Sequence, residues 1–502
     1  MLPPVSAKGF DDITFNEVRN CEVVIVGSGP GGAVAARILS EKGYSVIVLE
    51  SGPKQSRFAS NYAHTAKYHM QEGGAMVAQG SSMMPIAAGK GVGGSSLINS
   101  ALSFVPPDYI LDEWSERLSN DIWSAKEMKA TFEFITSYLG VSTTSKIIAG
   151  ENNKLIVRGI EKLGYDGGLA PRSTPRCVGC GVCYYGCPSG GKNSMNLNFL
   201  PQAHQNHTQI QAEIFVDQIF VEQNRAVGVS GYAIHPDTGK KGNRLTIRSK
   251  KVILSAGAVG TPRLLWSSGL ADSLGDAVGE GLHVHPGSTL LGIYESKIEM
   301  WKGATQGAYY HPPELPGVLP HTFSAPPEAC LVAGGFVGSK FQEGLRLLPY
   351  MCGMLVMVSD KGKGRVRAKS NGRADITYHF VQNDIQRIKD GLVSVSEVLF
   401  AGGATDLRVP IHGIDIIHDP EQLKKQLQNI DISDFTLYAA HPMATCRMGN
   451  TPKTSVVNSL GEAHLCKGLY ISDASVFPTS LGVNPQITTM AVSHRIAQSL
   501  EI

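Results

Sequence analysis

The sequence predicts an α/β fold, and three features of the stretch Cys21–Gly52 carry this prediction. Val23–Val26 and Val46–Leu49 are short apolar runs rich in β-branched residues, the pattern of parallel strands that are buried on both faces. A glycine-rich turn follows the first run, and a helical stretch that begins near Pro30 leads to the second. Strand, turn, helix and strand in this order form a βαβ unit, the building block of a parallel sheet that is covered by helices.

The turn of this unit has the spacing G-x-G-x-x-G, with glycines at Gly27, Gly29 and Gly32. The first glycine permits a tight turn, the second lets the backbone approach a pyrophosphate, and the third lets the helix pack closely on its strand. Glu50 ends the second strand, where an acid hydrogen-bonds the ribose of an adenosine. A purely structural glycine turn is the alternative, but turn, helix, strand and acid agree in order and spacing. The unit therefore predicts dinucleotide binding.

Length and composition limit the classes of function. The chain has 502 residues, too many for one hydrophobic core, so two or three domains are expected. Its 45 basic and 43 acidic residues give a net charge of +2, which argues against a surface for nucleic acid or anionic membrane. We expect neither a secretory signal nor a membrane span, because no apolar run reaches about 18 residues. Nine cysteines, an odd number, favour a reducing compartment, so a cytoplasmic location is expected.

Four further segments predict the surroundings of the βαβ unit. Ala88–Asn99 is a second glycine-rich turn, whose backbone can approach a ligand closely. Gln209–Leu254 has the alternation and the turn residues of a strand meander. The proline-rich segment His311–Glu328 is predicted to be a loop or lid. Near the end of the chain, a short strand precedes a final helix with Pro485 in its first position.

Five motifs in a fixed order carry a resemblance to a known family. They are the fingerprint at Gly27–Gly32, GKGVGGSS from Gly89, SAGAVGTPRLL from Ser255, HPMATCRMG from His441 and SDASVFPTSLGVNP from Ser472. Together they resemble the glucose-methanol-choline (GMC) family of flavin-dependent alcohol oxidoreductases, over nearly the whole chain. RADITYHFVQNDIQRIKDGL, from Arg373, is also similar to the last strand and helix of the family's substrate domain.

The resemblance implies a domain arrangement and a cofactor, FAD rather than NAD. It implies a discontinuous Rossmann-like FAD-binding domain and a substrate domain built on an antiparallel sheet with helices. The FAD-binding domain would comprise residues 20–105, 195–285 and 436–502. The substrate-binding domain would comprise residues 106–194 and 286–435, including the cysteine-rich segment 177–188.

The resemblance also implies which residues contact the cofactor. Contacts to the ADP half would come from Gly27, Gly29, Gly32 and Glu50, and contacts on the flavin side from Gly94, Ser95 and Asn99. Val216 would meet the adenine through its backbone, and Asp473 would contact the pyrophosphate or the ribityl chain. The helix that opens at Pro485 would direct its positive end at a reduced, negatively charged flavin.

One departure from the family pattern concerns the attachment of the flavin. Some members bind the flavin covalently through a histidine just before the asparagine that matches Asn99. Ile98 stands at that position in this chain. Non-covalent FAD is therefore expected.

Two residues near the end of the chain are the candidate catalytic pair. The resemblance places His441 over the flavin, as the residue that accepts the hydroxyl proton of an alcohol while hydride leaves for the flavin. A histidine suits this task because its pKa lies near working pH. Asn484 stands where many relatives have a second histidine, and its amide can orient the substrate oxygen without taking a proton. The remaining histidines, including His283, His285 and His494, are interpreted as structural or surface residues.

Four cysteines form a separate candidate site. Cys177, Cys180, Cys183 and Cys187, followed by proline, match the pattern C-x2-C-x2-C-x3-C-P, by which ferredoxins hold iron–sulfur clusters. A [4Fe–4S] cluster is the direct interpretation. Structural zinc, free thiols and disulfides remain open, because four closely spaced thiolates also bind zinc and because this chain contains a single run of this kind.

The leading hypothesis is therefore an FAD-dependent enzyme that oxidises the CH–OH group of a lipophilic alcohol, such as a sterol or a long-chain alcohol. Aromatic residues of the presumed substrate segment favour an apolar pocket: Trp301, Tyr309, Tyr310, Phe323 and Phe336. A GMC-fold lyase with structural FAD is one alternative, and a dehydrogenase subunit that feeds electrons to a partner protein is another. The sequence leaves the electron acceptor open between oxygen, a quinone and a redox protein.

Overall fold

The structure is a computed structural model and describes residues 5–54, 58–59 and 61–502. The strands are β1 Glu17–Val26, β2 Val46–Leu49, β3 Val77–Gly80, β4 Met84–Pro85, β5 Ser142–Thr143, β6 Asp166–Leu169, β7 Pro171–Arg172, β8 Gln209–Gln211, β9 Ile214–Glu222, β10 Arg225–Ile234, β11 Lys241–Leu254, β12 Glu280–Leu282, β13 Gly287–Ile293, β14 Ala308–His311, β15 His321–Phe323, β16 Met351–Met357, β17 Lys363–Ala368, β18 Ala374–His379, β19 Asp406–Arg408, β20 Ile416–Ile417 and β21 Leu469–Ile471. The helices are α1 Pro30–Glu41, α2 Tyr62–His69, α3 Asp108–Leu118, α4 Ala125–Tyr138, α5 Gly150–Leu163, α6 Phe199–Gln205, α7 Gly257–Ser267, α8 Ala271–Leu274, α9 Pro327–Ala333, α10 Phe341–Leu347, α11 Gln382–Ala401, α12 Pro420–Leu427 and α13 Gln486–Ser499.

The first sheet is the centre of the fold and contains the predicted βαβ unit. Its strands follow the order β8-β2-β1-β11-β10-β9, with β21 paired to the end of β11. β1 pairs in parallel with β2 and β11, whereas β9 and β10 are antiparallel additions. Residues Val23, Val24 and Ile25 of β1 are fully buried, as a strand that is covered on both faces requires. The mixed α/β fold class is therefore confirmed.

A second sheet is antiparallel and lies away from the first. Its order is β20-β19-β13-β16-β15-β14-β6, and the long helix α11 packs against β13 and β16. Strand β15, His321–Phe323, pairs with β16 and β14, so the prediction of a loop for the whole proline-rich segment was wrong. The segment forms a strand because His321, Thr322 and Phe323 carry no proline and can pair along the backbone.

A third sheet joins the two regions, in the order β12-β17-β18-β3-β4. It combines strands from both sets of residue ranges that the sequence assigned to separate domains. The predicted domain boundaries stay a prediction. Pro485 precedes the first residue of α13 as its N-cap, one position earlier than expected. Among the described residues, no helix combines the length and the apolar character that a membrane crossing requires.

Candidate active site

The glycine turn between β1 and α1 contains two structural glycines and one open glycine. A β-carbon on Gly27, which has φ of +106°, would overlap the Ser255 carbonyl, and one on Gly32 would overlap the Gly27 carbonyl. A β-carbon on Gly29 would meet only the Gly94 Cα, at 3.9 Å. Gly29 caps α1, whose first amide groups lack acceptors within the helix. The turn therefore offers an open approach to backbone N–H groups, which fits the phosphate groups of a dinucleotide.

The Glu50 carboxylate joins this turn to the second glycine-rich turn. One oxygen accepts hydrogen bonds from the Ser28 amide at 3.1 Å and the Ser28 hydroxyl at 2.7 Å. The other accepts from the amides of Gly52, at 2.8 Å, and Gly91, at 3.1 Å. Glu50 is 5% exposed, so these donors satisfy a buried charge. A cleft of about 290 Å³ opens beside this end of β2, with Ser51, Gly52 and Glu213 in its wall.

The second turn lies directly against the first. A β-carbon on Gly94 would stand 2.6 Å from the Gly29 Cα, so only glycine allows the two turns to approach this closely. The Ser95 hydroxyl accepts a hydrogen bond from the Gly89 amide at 2.8 Å and holds the turn closed. Asn99 donates from its amide to the Gln486 Oε1 at 2.5 Å. The turn thus connects the α1 N-terminus to the first residue of α13.

Asp473 and Val216 lie at different parts of the first sheet. Asp473 accepts hydrogen bonds from the Gly257 amide at 2.9 Å and the Thr261 hydroxyl at 2.6 Å, so it ties the end of β21 to α7. Burial raises its pKa, although these hydrogen bonds oppose the rise. Val216 is a buried residue of β9 opposite Gly231 of β10. Their contacts with a cofactor remain predictions.

The candidate catalytic pair is brought together as the sequence predicted. Asn484 Nδ2 lies 3.1 Å from His441 Nε2, just before the positive end of α13. Burial lowers the pKa of His441 well below its usual value of 6.5, and the neighbouring His285 and His321 lower it further. The imidazole is therefore neutral at pH 7, the form that a proton acceptor requires. Asn484 Oδ1 is buried and has no hydrogen-bond partner among the described residues.

His285 lies beside this pair and is 2% exposed, which excludes the surface alternative of its interpretation as a structural or surface residue. Its Nδ1 lies 3.3 Å from His441 Nδ1, and the two rings are nearly perpendicular at 81°. Its Nε2 accepts a hydrogen bond from the Gly482 amide at 3.0 Å. This contact has no local signal in the sequence, because 156 residues separate the two histidines.

Asp360 is a second residue that the sequence analysis missed. It is fully buried and accepts hydrogen bonds from the amides of Val284, at 3.1 Å, and His285, at 3.3 Å. The hydroxyls of Tyr378 and Ser480 also donate to it, at 2.8 and 2.9 Å. Burial alone would raise the pKa of Asp360, but its hydrogen bond and electrostatic interaction with His283 help to hold the pKa below its usual value. The Asp360 carboxylate thus holds the backbone at Val284 and His285 and, through Ser480, the loop that leads to Gly482.

Two buried basic residues that flank the cysteine-rich segment, Arg172 and Lys192, support the second glycine turn. Lys192 and Arg172 are 2% and 1% exposed. Lys192 Nζ donates to the carbonyls of Leu97, at 2.8 Å, and Asn99, at 2.7 Å, while Arg172 Nε donates to the Ser100 carbonyl at 3.0 Å. Arg172 Nη2 also lies 3.3 Å from the Cys183 sulfur. Lys192 and Arg172 thus hold the chain around Asn99.

The cysteines themselves do not converge on one point. All nine are free, and Cys180 is exposed whereas Cys183 is buried. Within the described part of the chain, no three His, Cys, Asp or Glu side chains are grouped as ligands of a metal ion. As placed, the four cysteines do not fit a metal ion or a cluster, and no chemical step is derived through one.

Four of the predicted cofactor residues, Glu50, Gly29, Gly94 and Asn99, lie along one set of contacts. It runs from Glu50 past the contact of Gly29 with Gly94 and on to Asn99, and it ends where α13 begins beside Asn484. The adenosine end has a carboxylate, the middle has open backbone amides, and the far end has a neutral imidazole. This donor set fits a dinucleotide such as FAD.

Comparison with known proteins identifies the family. Two models described as GMC oxidoreductase match residues 66–287 and 360–493, and a model described as FAD binding domain matches residues 20–69. An uncharacterized GMC-type oxidoreductase of Mycobacterium tuberculosis is 30% identical, over 96% of this chain and 76% of its own length. A long-chain-alcohol oxidase of Arabidopsis thaliana is 31% identical, over 96% of this chain and 67% of its own length.

A solved structure agrees with this assignment at the level of the fold. Pyridoxine 4-oxidase from Mesorbium loti superimposes with a TM-score of 0.71 over 95% of this chain and 99% of its own, at 16% identity. With both family models and these relatives in agreement, the chain belongs to the GMC oxidoreductase family of FAD-dependent enzymes.

Proposed function

We propose that this GMC oxidoreductase oxidises the CH–OH group of a lipophilic alcohol, of the sterol or long-chain class, with non-covalently bound FAD. The observation that carries the proposal is the pair His441 and Asn484, 3.1 Å apart at the N-terminus of α13. The long-chain-alcohol oxidase among the relatives supports the substrate class. The aromatic segment supports it less, because Tyr310 and Phe336 are buried core residues, 0% and 2% exposed.

Asn484 and His441 have different roles at the alcohol oxygen. When bound, FAD supplies the acceptor for the hydride that leaves the carbinol carbon. The Asn484 amide orients the substrate oxygen, and His441 takes the hydroxyl proton at Nε2, so that the carbonyl forms without a high-energy protonated intermediate. The positive end of α13 stabilises negative charge that develops beside it.

The destination of the electrons and the location of the protein belong to the same proposal. A small-molecule alcohol is the substrate, and oxygen, a quinone or a redox protein takes the electrons from the reduced enzyme. Nine free cysteines favour a reducing compartment such as the cytoplasm. Stoichiometric bleaching of the flavin by an alcohol without oxygen tests the oxidative reaction directly, and a lyase would leave the flavin oxidised.

Replacement of the pair tests its roles. We expect His441→Ala to slow flavin reduction by a factor of about 10² to 10⁴, the usual contribution of a general base. Asn484→Ala should slow it less, because the proton acceptor remains. Since the pKa of His441 is lowered, the wild-type rate should fall on the acid side of pH 6.5 as the imidazole becomes protonated, and His441→Ala should lose this limb.

The measurement is anaerobic stopped-flow reduction with an alcohol that the wild-type enzyme turns over, across pH. FAD content, measured on each variant, is the control for cofactor binding. Reduction of His441→Ala at nearly wild-type speed would show that another group accepts the proton.

Acid precipitation tests the attachment of the flavin. Ile98 is buried at the position where some relatives carry the linking histidine, and an isoleucine side chain cannot form that bond. We expect all yellow chromophore in the supernatant after precipitation with acid. Flavin that stays in a washed pellet would contradict non-covalent binding.

Gly29→Val tests the phosphate site. A valine side chain would fill the open space beside the turn, so we expect the purified protein to lose FAD, whereas Gly29→Ala should keep part of it. The FAD content per chain and the far-UV circular dichroism spectrum are measured together. A folded Gly29→Val protein with full FAD content would place the phosphates elsewhere.

Metal analysis tests the cysteine site. A cluster held by the four cysteines would give iron–sulfur absorption beneath the flavin bands of anaerobically purified protein, and it would require their side chains to turn toward one point. Cys180→Ser should lose this absorption and keep its FAD. About one zinc and no iron per chain, or neither metal, would contradict the cluster.

A further inference from the structure

The hydrogen bonds around His285 have a fixed direction. Its pKa is lowered to about 4 by burial, so the ring is neutral at pH 7 and carries one proton. Nε2 faces the Gly482 amide, which can only donate, so Nε2 must accept and the proton must be on Nδ1. That Nδ1–H points at His441 Nδ1, 3.3 Å away. His285 is therefore the donor of the pair and His441 Nδ1 the acceptor.

The same reasoning settles the other nitrogen of His441. A neutral His441 whose Nδ1 accepts must carry its own proton on Nε2, where it faces the Asn484 amide at 3.1 Å. As placed, Asn484 would present its NH2 group to that proton and would leave its buried Oδ1 without a partner. Exchange of the amide oxygen and nitrogen makes Oδ1 the acceptor of the His441 proton, and such an exchange is an ordinary assignment from the hydrogen-bond network. The NH2 group then occupies the buried position that has no partner among the described residues. The opposite direction would place two donors against each other at Gly482, where the backbone cannot be turned over.

The position of His285 is fixed by its backbone and does not depend on the pair. Its φ of +50° is uncommon for a residue other than glycine, and its amide is held by the Asp360 carboxylate at 3.3 Å. Ser480 donates to the same carboxylate at 2.9 Å and thereby holds the loop that leads to Gly482. Asp360 thus fixes both the ring and the amide that determines its tautomer.

We propose that His285 is a positioning residue that controls which ring nitrogen of His441 carries the proton. In the resting enzyme His441 carries its proton on Nε2 and donates it to the Asn484 amide oxygen. A proton can be accepted at Nε2 only in the other tautomer, with the His441 proton on Nδ1. That tautomer requires His285 to give up its bond to Gly482 or to His441, so it is the minor form of the resting enzyme. This consequence for catalysis rests on the proposed function; the tautomer assignment does not.

Two variants of His285 form a matched pair for the test. Asparagine at this position presents an NH2 donor toward His441 Nδ1, and aspartate presents an acceptor of the same shape. Both lack the acceptor for Gly482, so they share that loss. His285→Asn should keep the His441 proton on Nε2, and His285→Asp should move it to Nδ1.

The primary measurement is a long-range 1H–15N correlation spectrum of the FAD-bound protein labelled with 15N-histidine, at pH 7 and without alcohol. The His441 signals are identified by their loss in His441→Gln. We expect wild type and His285→Asn to show an unprotonated Nδ1 and a protonated Nε2. A wild-type spectrum with the proton on Nδ1 would overturn the proposal even if neither variant folds.

Flavin reduction in the stopped flow is the second measurement. His285→Asp should reduce its flavin about tenfold faster than His285→Asn, the order expected when a minor tautomer becomes the major one. Equal rates in the two variants would overturn the control of catalysis by His285. A wild-type tautomer as proposed, together with full activity of His441→Ala, would leave the hydrogen-bond assignment standing and refute the catalytic role of His441.

Discussion

The active site depends on the hydrogen bonds that the buried Asp360 carboxylate accepts. A buried, unpaired charge is costly, and this one is stabilised because donors from three separate parts of the chain converge on it. Through Val284 and His285 it fixes the start of β13, through Tyr378 it fixes β18, and through Ser480 it fixes the loop before α13. The hydrogen bonds of Asp360 thereby attach the antiparallel region, beside His285, to the segment that carries Asn484. They fix the distance between these two parts of the site.

Much of the cofactor region could be predicted from the sequence because its chemistry is local. The spacing of Gly27, Gly29 and Gly32, and of Glu50 after its strand, encodes a turn whose shape depends on neighbours in the chain. The resemblance to the family added the pairing of His441 with Asn484, which the structure places 3.1 Å apart. Their separate roles remain a prediction.

The parts that could not be predicted depend on contacts between distant segments. Nothing in the sequence around His285 distinguishes it from an ordinary buried histidine. Its contact with His441 is seen only in the folded chain. Asp360 could not be identified from the sequence either, because its hydrogen-bond donors are residues 284, 285, 378 and 480, which are distant from it in the chain. The strand within the proline-rich segment was missed for a related reason: strand pairing with β16 outweighs the local turn preference of the flanking prolines.

The two buried cations beneath Asn99 have a consequence for cofactor affinity. Burial lowers the pKa of Lys192 to about 8, and Lys192 and Arg172 are directed at carbonyl oxygens of residues 97, 99 and 100. A glycine-rich turn would otherwise sample many conformations, and a ligand would have to select one of them. Here the turn loses that freedom when the chain folds. The turn is therefore already rigid before a ligand binds. For this reason, FAD that contacts the turn as proposed would lose less of its binding free energy to the ordering of the chain.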